Sequence, residues 1–83
     1  MDISTTGIVE RIARVLAAQR LSVNAHGAQA SASGAVDDAW RGHIDDAMAV
    51  LRTMREPDQT MARAGDPLVW EAMVLAALRG ASA

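Results

Sequence analysis

The sequence contains no cysteine, so neither a disulfide nor a thiolate-bound metal can hold its fold together. The absence is also compatible with a reducing cytosol. With 83 residues the chain is long enough for one domain, and domains of this size bury a smaller share of their surface than larger ones. We therefore expect association with another chain to supply part of the stability.

Lysine is absent as well, and all eight basic residues are arginines. The formal net charge is −2, and no polybasic segment is present that would favour nucleic acid or an anionic membrane. The first residues, Met1-Asp2-Ile3-Ser4, do not combine a basic stretch with a continuous apolar one, and no apolar run approaches the roughly 18 residues of a membrane span. These features predict a soluble, cytoplasmic protein with no membrane partner.

Side chains that commonly act as nucleophiles are scarce. Cysteine, lysine and tyrosine are missing, and the serines fall in a capping segment, a loop and the terminus. His26 shares that loop with three serines, but a flexible loop does not hold a nucleophile and a base within hydrogen-bond reach. The serines are Ser22, Ser31 and Ser33. We therefore expect no enzymatic activity and no catalytic residue.

His43 and Asp46 are three residues apart, a spacing that brings two potential metal ligands together on a helix. A third ligand is missing, and His43 is instead interpreted as a boundary residue at the edge of an apolar stripe. Adjacent carboxylates in the pairs Asp37-Asp38 and Asp45-Asp46 point about 100° apart on a helix and do not converge on one atom. The first pair is attributed to the helix dipole and the second to a solvated face, so no metal or other cofactor is expected.

The first helix is predicted from Gly7 to Arg20, with hydroxyl caps at Ser4-Thr5-Thr6. Apolar residues then recur with a period near 3.6. The stripe consists of Ile8, Ile12, Val15 and Leu16. Residues 21–35 are rich in Ala, Ser and Gly and are predicted to form a flexible linker, because they carry too little apolar surface to offset ordering. Such a linker would allow helix one to pack against a neighbouring chain.

The second helix is predicted from Val36 to Met54 and has the strongest periodicity in the chain. Its apolar face comprises Trp40, Ile44, Ala47, Met48, Leu51 and Met54. Charged residues, including Asp45 and Arg52, lie on the opposite face. Pro57 ends the helix, because proline lacks an amide hydrogen and disfavours helical backbone at the preceding residue.

Two further helix starts follow. A short helix is predicted from Pro57 to Ala64, with Gly65 as a left-handed C-terminal cap. Asp66 then stands where an N-cap is expected, with proline at the first helical position after it. This pattern predicts a last helix from Pro67 to Arg79 that ends at Gly80.

The last helix is apolar nearly all round. One wide face carries Val69, Trp70, Met73, Val74, Ala77 and Leu78, and the other side is lined by Leu68, Ala72 and Leu75. Two other helices of this size cannot cover both sides, so we expect a homodimer that buries the second side. The candidate interface comprises Leu68, Trp70, Ala72, Leu75 and Arg79. Whether Trp40, Trp70 and the methionines belong to the core or to the interface stays open.

The short helix, Gly65 and the last helix together have the outline of a DNA-binding helix-turn-helix. A recognition helix needs exposed Arg, Asn, Gln or Ser near its N-terminus. The last helix carries Leu68, Val69, Trp70 and Glu71 there instead. DNA binding is therefore kept as the alternative hypothesis, and the sequence favours a protein partner over nucleic acid.

A pattern of residues runs through the second half of the chain: Trp40, Arg55-Glu56-Pro57, Ala64-Gly65, Trp70 and Ala76-Ala77-Leu78. In this pattern the chain resembles a group of small uncharacterised helical proteins encoded in alphaproteobacteria and their prophages. Two features depart from the group, in which residue 43 is often aromatic and the segment before the last tryptophan is often longer. The resemblance implies a compact helical fold for residues 36–79 and no particular activity.

The sequence therefore predicts an all-α fold of three main helices and one short helix, arranged as a small orthogonal or bundle-like domain over residues 1–83. We expect a non-enzymatic, self-associating helical interaction or accessory module whose partner is a second copy or an unidentified protein. The alternative is a helix-turn-helix-like DNA-binding protein. In both cases the chain would act in the bacterial cytoplasm without a cofactor.

Overall fold

The structure is a computed structural model that describes residues 1–24 and 33–82, and this part contains helices and no strand. The helices are α1 (Ile8–Asn24), α2 (Ser33–Ala39), α3 (Ile44–Met54), α4 (Gln59–Ala64) and α5 (Pro67–Ser82), with a 3₁₀ turn over Trp40–His43. The longer helices α1, α3 and α5 pack together as a small bundle, and α2 and α4 are short. None of these helices combines the length and the apolar character that crossing a bilayer requires. The predicted all-α, bundle-like fold is confirmed.

Helix α1 starts directly after Gly7. The Arg11 amide donates a hydrogen bond to the Gly7 carbonyl at 3.1 Å and so closes the first helical turn. The predicted hydroxyl cap is used differently, because the Ser4 hydroxyl accepts a hydrogen bond from the Thr6 amide at 3.1 Å and forms a local turn ahead of the helix. At its other end α1 runs to Asn24, beyond the predicted end.

The segment predicted as a flexible linker, residues 21–35, is helical at both of its ends. Residues 21–24 complete α1, with Leu21 half-buried, and residues 33–35 open α2. The linker prediction is corrected there, because tertiary contacts of the two helices outweigh weak local propensity. Residues 25–32, which include His26 and Ser31, lie outside the described residues. Ser22 and Ser33, which were predicted in the same loop, lie in α1 and α2 instead.

The buried line of α1 is formed by small residues. Val9, Ala13 and Ala17 follow one another at successive turns, and both alanines are fully buried. Small side chains at these positions let neighbouring helices approach α1 closely. Ile8, Ile12 and Leu16 of the predicted stripe are half-buried beside this line, whereas Val15 is 59% exposed. The assignment of Val15 to the packed face is therefore wrong, because α1 turns its alanines towards the core.

The predicted second helix is interrupted at Trp40–His43, where the 3₁₀ turn separates α2 from α3. Ala39, just before the interruption, has φ −104°, and His43, its last residue, has φ −107°. Gly42 lies inside it, and the low helix propensity of glycine makes this the weakest point of the run. The prediction of one continuous helix is wrong here, although its end at Met54 is confirmed.

The core lies where α1, α3 and α5 meet. Its buried members are Val9, Ala13, Ala47, Leu51 and Val74. Larger apolar side chains surround them half-buried: Ile8, Ile12, Leu16, Trp40, Ile44, Met48, Trp70 and Leu78. No large side chain of the described residues is fully buried. The core is therefore small, and much apolar surface stays in contact with solvent.

Both C-terminal helices begin at an aspartate. The Asp58 carboxylate accepts a hydrogen bond from the Met61 amide at 2.9 Å and caps α4. The Asp66 carboxylate accepts one from the Leu68 amide, also at 2.9 Å, and caps α5. The predicted start of the last helix at Pro67 is confirmed.

Three predicted bounds in this region are corrected. Helix α4 starts at Gln59 instead of Pro57, because the aspartate between them provides the cap. Gly65 is extended, with φ −164° and ψ −169°, and is not a left-handed cap; it carries the chain directly into the next helix start. Helix α5 passes through Gly80 and continues to Ser82, because the alanine that follows the glycine packs against the core and extends the helix.

Candidate interaction surface

Exposed apolar side chains concentrate on α4 and α5. Nine large apolar side chains of the described residues are exposed, and four of them lie between residues 61 and 73. They are Met61, Leu68, Val69 and Met73, with exposed fractions of 39%, 76%, 53% and 63%. Ala72 and Ala76 are exposed beside them. We call these six residues the α4–α5 surface.

The orientation of α5 explains this exposure. Val74 is the buried residue of the helix. Trp70, Ala77, Leu78 and Ala81 flank it half-buried. At 100° per residue, Val69, Ala72 and Ala76 lie on the side away from this line. The helix therefore buries one apolar stripe and presents a second apolar stripe to solvent.

Helix α4 does not cover the second stripe. It has six residues, all of them exposed. A groove of about 440 Å³ separates it from α5 and is lined by, among others, Pro57, Met61, Ala62, Val69, Trp70 and Met73. Asp66 is the one charged side chain among the described residues that line it, and its carboxylate is already bonded to the Leu68 amide. The groove is therefore apolar and open.

Two contacts hold α5 against the end of α3. Trp70 Nε1 donates a hydrogen bond to the Met54 carbonyl at 2.6 Å, which satisfies one of the carbonyls left unpaired at a helix end. The Arg55 Nε and Glu71 Oε2 atoms are 3.9 Å apart, and a pair as exposed as this one contributes little stability. The Trp70 side chain is consequently bonded to the end of α3 and half-buried, while the other side of α5 stays open.

A second groove, of about 370 Å³, lies between the start of α1 and the last turns of α5. Its lining includes Ile8, Trp40, Ile44, Ala76, Ala77, Gly80 and Ala81. Glu10 is the charged member of the lining, and it accepts a hydrogen bond from Arg14 Nε at 2.8 Å. The exposed stripe of α5 therefore runs from one apolar groove to the other.

Four of the five predicted interface residues share one face of α5, and Trp70 lies on another. Leu68, Ala72 and Arg79 are exposed, whereas Leu75 is half-buried. Trp70 is also half-buried and is bonded to α3 within the same molecule. The structure thus brings three of the five residues to the surface and assigns Trp70 to the internal packing.

Sequence reasoning missed Val69 and Met73, which it placed on the core-facing side of the last helix. Both are more than half exposed. Periodicity does not distinguish the two sides of a helix that is apolar all round, because each side satisfies the same spacing. A signal was available in residue size, since the stripe with Val69 and Met73 also contains Ala76 and Gly80, and small residues are common where helices approach closely.

A polar cluster ties α1 to α2. Arg14 donates hydrogen bonds to Glu10 at 2.8 Å and to Asp37 at 2.6 Å. The hydrogen bond to Asp37 makes the largest contribution, and together the two bonds raise the pKa of the Arg14 guanidinium. The Arg14 Cζ atom lies 5.2 Å from the centre of the Trp40 ring, and the Arg41 Cζ atom lies 4.6 Å from the same centre. Both carboxylates are engaged by an arginine, so the cluster acts as a structural tie.

The acidic pairs and His43 do not converge on one point. Within residues 1–24 and 33–82, no three His, Asp or Glu side chains lie close enough to hold one ion. The helix-dipole interpretation of Asp37 is corrected, because α2 starts before Val36 and places Asp37 beyond its first turn, beside Arg14. Asp45 and Asp46 are exposed, and in the first turn of α3 they interact favourably with the helix dipole.

The helix-turn-helix outline exists in α4, Gly65 and α5, but its chemistry is acidic and apolar. The first turns of α5 expose Leu68 and Val69, with Asp66 and Glu71 as the charged neighbours. Arg79 is the first basic residue after the helix begins. This helix start therefore lacks the basic side chains that contact DNA phosphates.

Comparison with known proteins adds no relative. No protein-family model, curated protein or solved structure matches the chain. The resemblance to alphaproteobacterial and prophage proteins therefore stays a prediction.

Proposed function

We propose that the chain is a non-enzymatic, self-associating helical interaction module that acts as a homodimer in the cytoplasm. The observation that carries the proposal is the α4–α5 surface, where apolar side chains are left exposed on a chain whose core is small. Exposed apolar patches on small proteins mark sites of association. The cysteine-free composition is in keeping with a reducing compartment.

The total exposed area supports association. A compact protein of 8.7 kDa is expected to expose about 4,700 Å², whereas this chain exposes 6260 Å². A stable dimer interface of standard size buries about 800 Å² on each partner. Leu68, Val69 and Met73, each more than half exposed, account for part of the uncovered surface.

The strength of the association can be estimated from the side chains involved. Burying Leu68, Val69 and Met73 contributes about 2 kcal/mol each, or on the order of 12 kcal/mol for the six side chains of a dimer. Association costs at least about 4 kcal/mol in lost translational and rotational freedom. With this minimum cost, dissociation is expected at about micromolar concentration or above, so the dimer should be sensitive to dilution.

The polar groups of the two grooves support the non-enzymatic part of the proposal. A catalytic pocket needs several polar groups directed at one point. The charged side chain in each groove, Asp66 in one and Glu10 in the other, already has a partner in the same chain. Among the described lining residues each groove has one charged side chain, so several polar groups are not directed at one point in either groove.

The test is the solution mass measured by light scattering over a dilution series, with helicity followed by circular dichroism. Met73→Glu should shift the chain to monomer at concentrations where the unaltered chain is dimeric, because the substitution places a charge on the exposed stripe. Val15→Glu is the matched control, since Val15 is 59% exposed but lies on α1, and it should leave the mass unchanged. An unaltered chain that is monomeric at every concentration would contradict the proposal.

A further inference from the structure

Four exposed residues of α5 form a regular pattern on its outer side. Val69, Met73, Ala76 and Gly80 are all exposed and are separated by four, three and four residues. This is the spacing of the contacting positions in a two-stranded coiled coil, repeated over about 17 Å of helix. We call these four residues the α5 seam.

The α5 seam is graded in size along the helix. Its first two members, Val69 and Met73, are large and border the groove next to α4. Its last two, Ala76 and Gly80, are small and border the groove next to α1. A side chain built on Gly80 would meet no other group within 4 Å, so the space above it is open. The helix therefore has side chains to insert at one end and room to receive them at the other.

We infer that α5 packs in antiparallel orientation against α5 of a second copy, with Val69 against the partner's Gly80 and Met73 against the partner's Ala76. The inference rests on the self-association proposed above and specifies its geometry. In an antiparallel coiled coil, the a positions of one helix face the d positions of the other. Here each such pair of facing residues places a large side chain opposite a small one. One two-fold axis between residues 74 and 75 produces all four contacts at once.

A parallel pair does not have this complementarity. It would place Val69 against the partner's Val69 and Gly80 against the partner's Gly80, so one end of the interface would be crowded and the other would enclose a void. It would also align the two helix dipoles side by side in the same direction, which is unfavourable, whereas an antiparallel pair opposes them. Packing and electrostatics therefore favour the same orientation.

Cysteine cross-linking tests the geometry directly, because the chain has no cysteine of its own. Val69→Cys and Gly80→Cys chains are purified separately and then mixed and oxidised. The mixture should form disulfides between positions 69 and 80, identified by mass spectrometry of the linked peptides. Each variant alone should stay unlinked, since like positions lie at least about 17 Å apart in the antiparallel pair and a disulfide spans less than about 7 Å between Cα atoms.

The outcomes separate the geometry from the proposed function. Disulfides between two copies of Val69→Cys would show a parallel pair and overturn the inference, while the proposed dimer would stand. A dimeric mass without cross-links in any of the samples would move the interface away from α5 and overturn the inference as well. A monomeric mass for every variant and for the unaltered chain would contradict both the inferred geometry and the proposed dimer.

A size exchange provides a second measurement. Gly80→Val alone should weaken dimerisation about tenfold, because both members of a layer are then large. The double variant Val69→Ala with Gly80→Val moves the large residue to the other end, and its layers again pair large with small. It should dimerise within about threefold of the unaltered chain. Equal weakening by the single and the double variant would contradict the proposed register.

Discussion

The part of the chain up to Met54 and the part after it use their apolar side chains differently. In the first part, α1 and α3 bury Val9, Ala13, Ala47 and Leu51, and Arg14 links α1 to α2 through Asp37. In the second part, α4 buries no residue and Val74 is the buried residue of α5, although α5 is rich in apolar side chains. Apolar content alone therefore does not show which residues stabilise the monomer, because in the second part it is left at the surface.

The largest expected effect compares a leucine from each part. Leu51→Ala should lower the free energy of unfolding by about 3 kcal/mol, because it removes a side chain that is 4% exposed and leaves a cavity. Leu68→Ala should change it by less than about 0.5 kcal/mol in the monomer, because that side chain is 76% exposed. Urea denaturation of dilute protein measures both. Similar losses of the free energy of unfolding in the two variants would contradict the difference in burial between the two parts of the chain.

An intermediate effect sharpens the comparison within the second part, where two aspartates cap two helices. Asp66→Ala should cost about 1 kcal/mol of the free energy of unfolding, because α5 contributes to the core and loses its cap. Asp58→Ala removes an equivalent hydrogen bond from α4, which buries nothing, so fraying there should leave global unfolding nearly unchanged. Amide hydrogen exchange at Met61 and Leu68 reports the local effect, and urea denaturation reports the global one. Equal global losses would show that α4 unfolds together with the core.

The smallest expected effect concerns alkaline pH and applies to both parts. Arg14 has a raised pKa, so its stabilising hydrogen bonds are fully present below the ordinary arginine pKa and are lost only as the pH rises through the higher value of the folded state. The sequence has no lysine, cysteine or tyrosine, the side chains that usually titrate between about pH 8 and 11. The urea midpoint should therefore be constant over that range. A decline would show that some other group titrates on unfolding.

The sequence was sufficient for the fold class and for helix ends that depend on local chemistry. Pro57 and the Asp66-Pro67 start predicted the end of α3 and the beginning of α5, because both signals act through the backbone of neighbouring residues. Features that depend on tertiary contacts were not predictable in the same way. The rotation of α1 that exposes Val15 follows from how closely Ala13 and Ala17 let other helices approach, which the period of the sequence does not contain.

The sequence predicted an uncovered apolar side on α5, and Leu68 and Ala72 of the predicted interface are exposed, but the exposure of Val69 and Met73 was not predicted. The sequence indicated that α5 has two apolar sides and that only one of them can pack against the core. Both sides show the same helical spacing of apolar residues, so the spacing did not show which side is buried. The burial of Val74 and the Trp70 hydrogen bond to Met54 determine which side of α5 faces the core, and both depend on contacts with other helices. Contacts between distant segments therefore decided the point, and residue spacing within α5 did not.

The outer side of α5 also has a consequence for protein engineering. Val69, Met73, Ala76 and Gly80 are exposed, so the monomer fold makes little demand on which side chains stand there. Their identities can be exchanged to choose a new binding partner while the buried residues keep the scaffold unchanged. A small set of positions on one rigid helix thus offers a compact library site, in which selection for binding is largely separated from selection for folding.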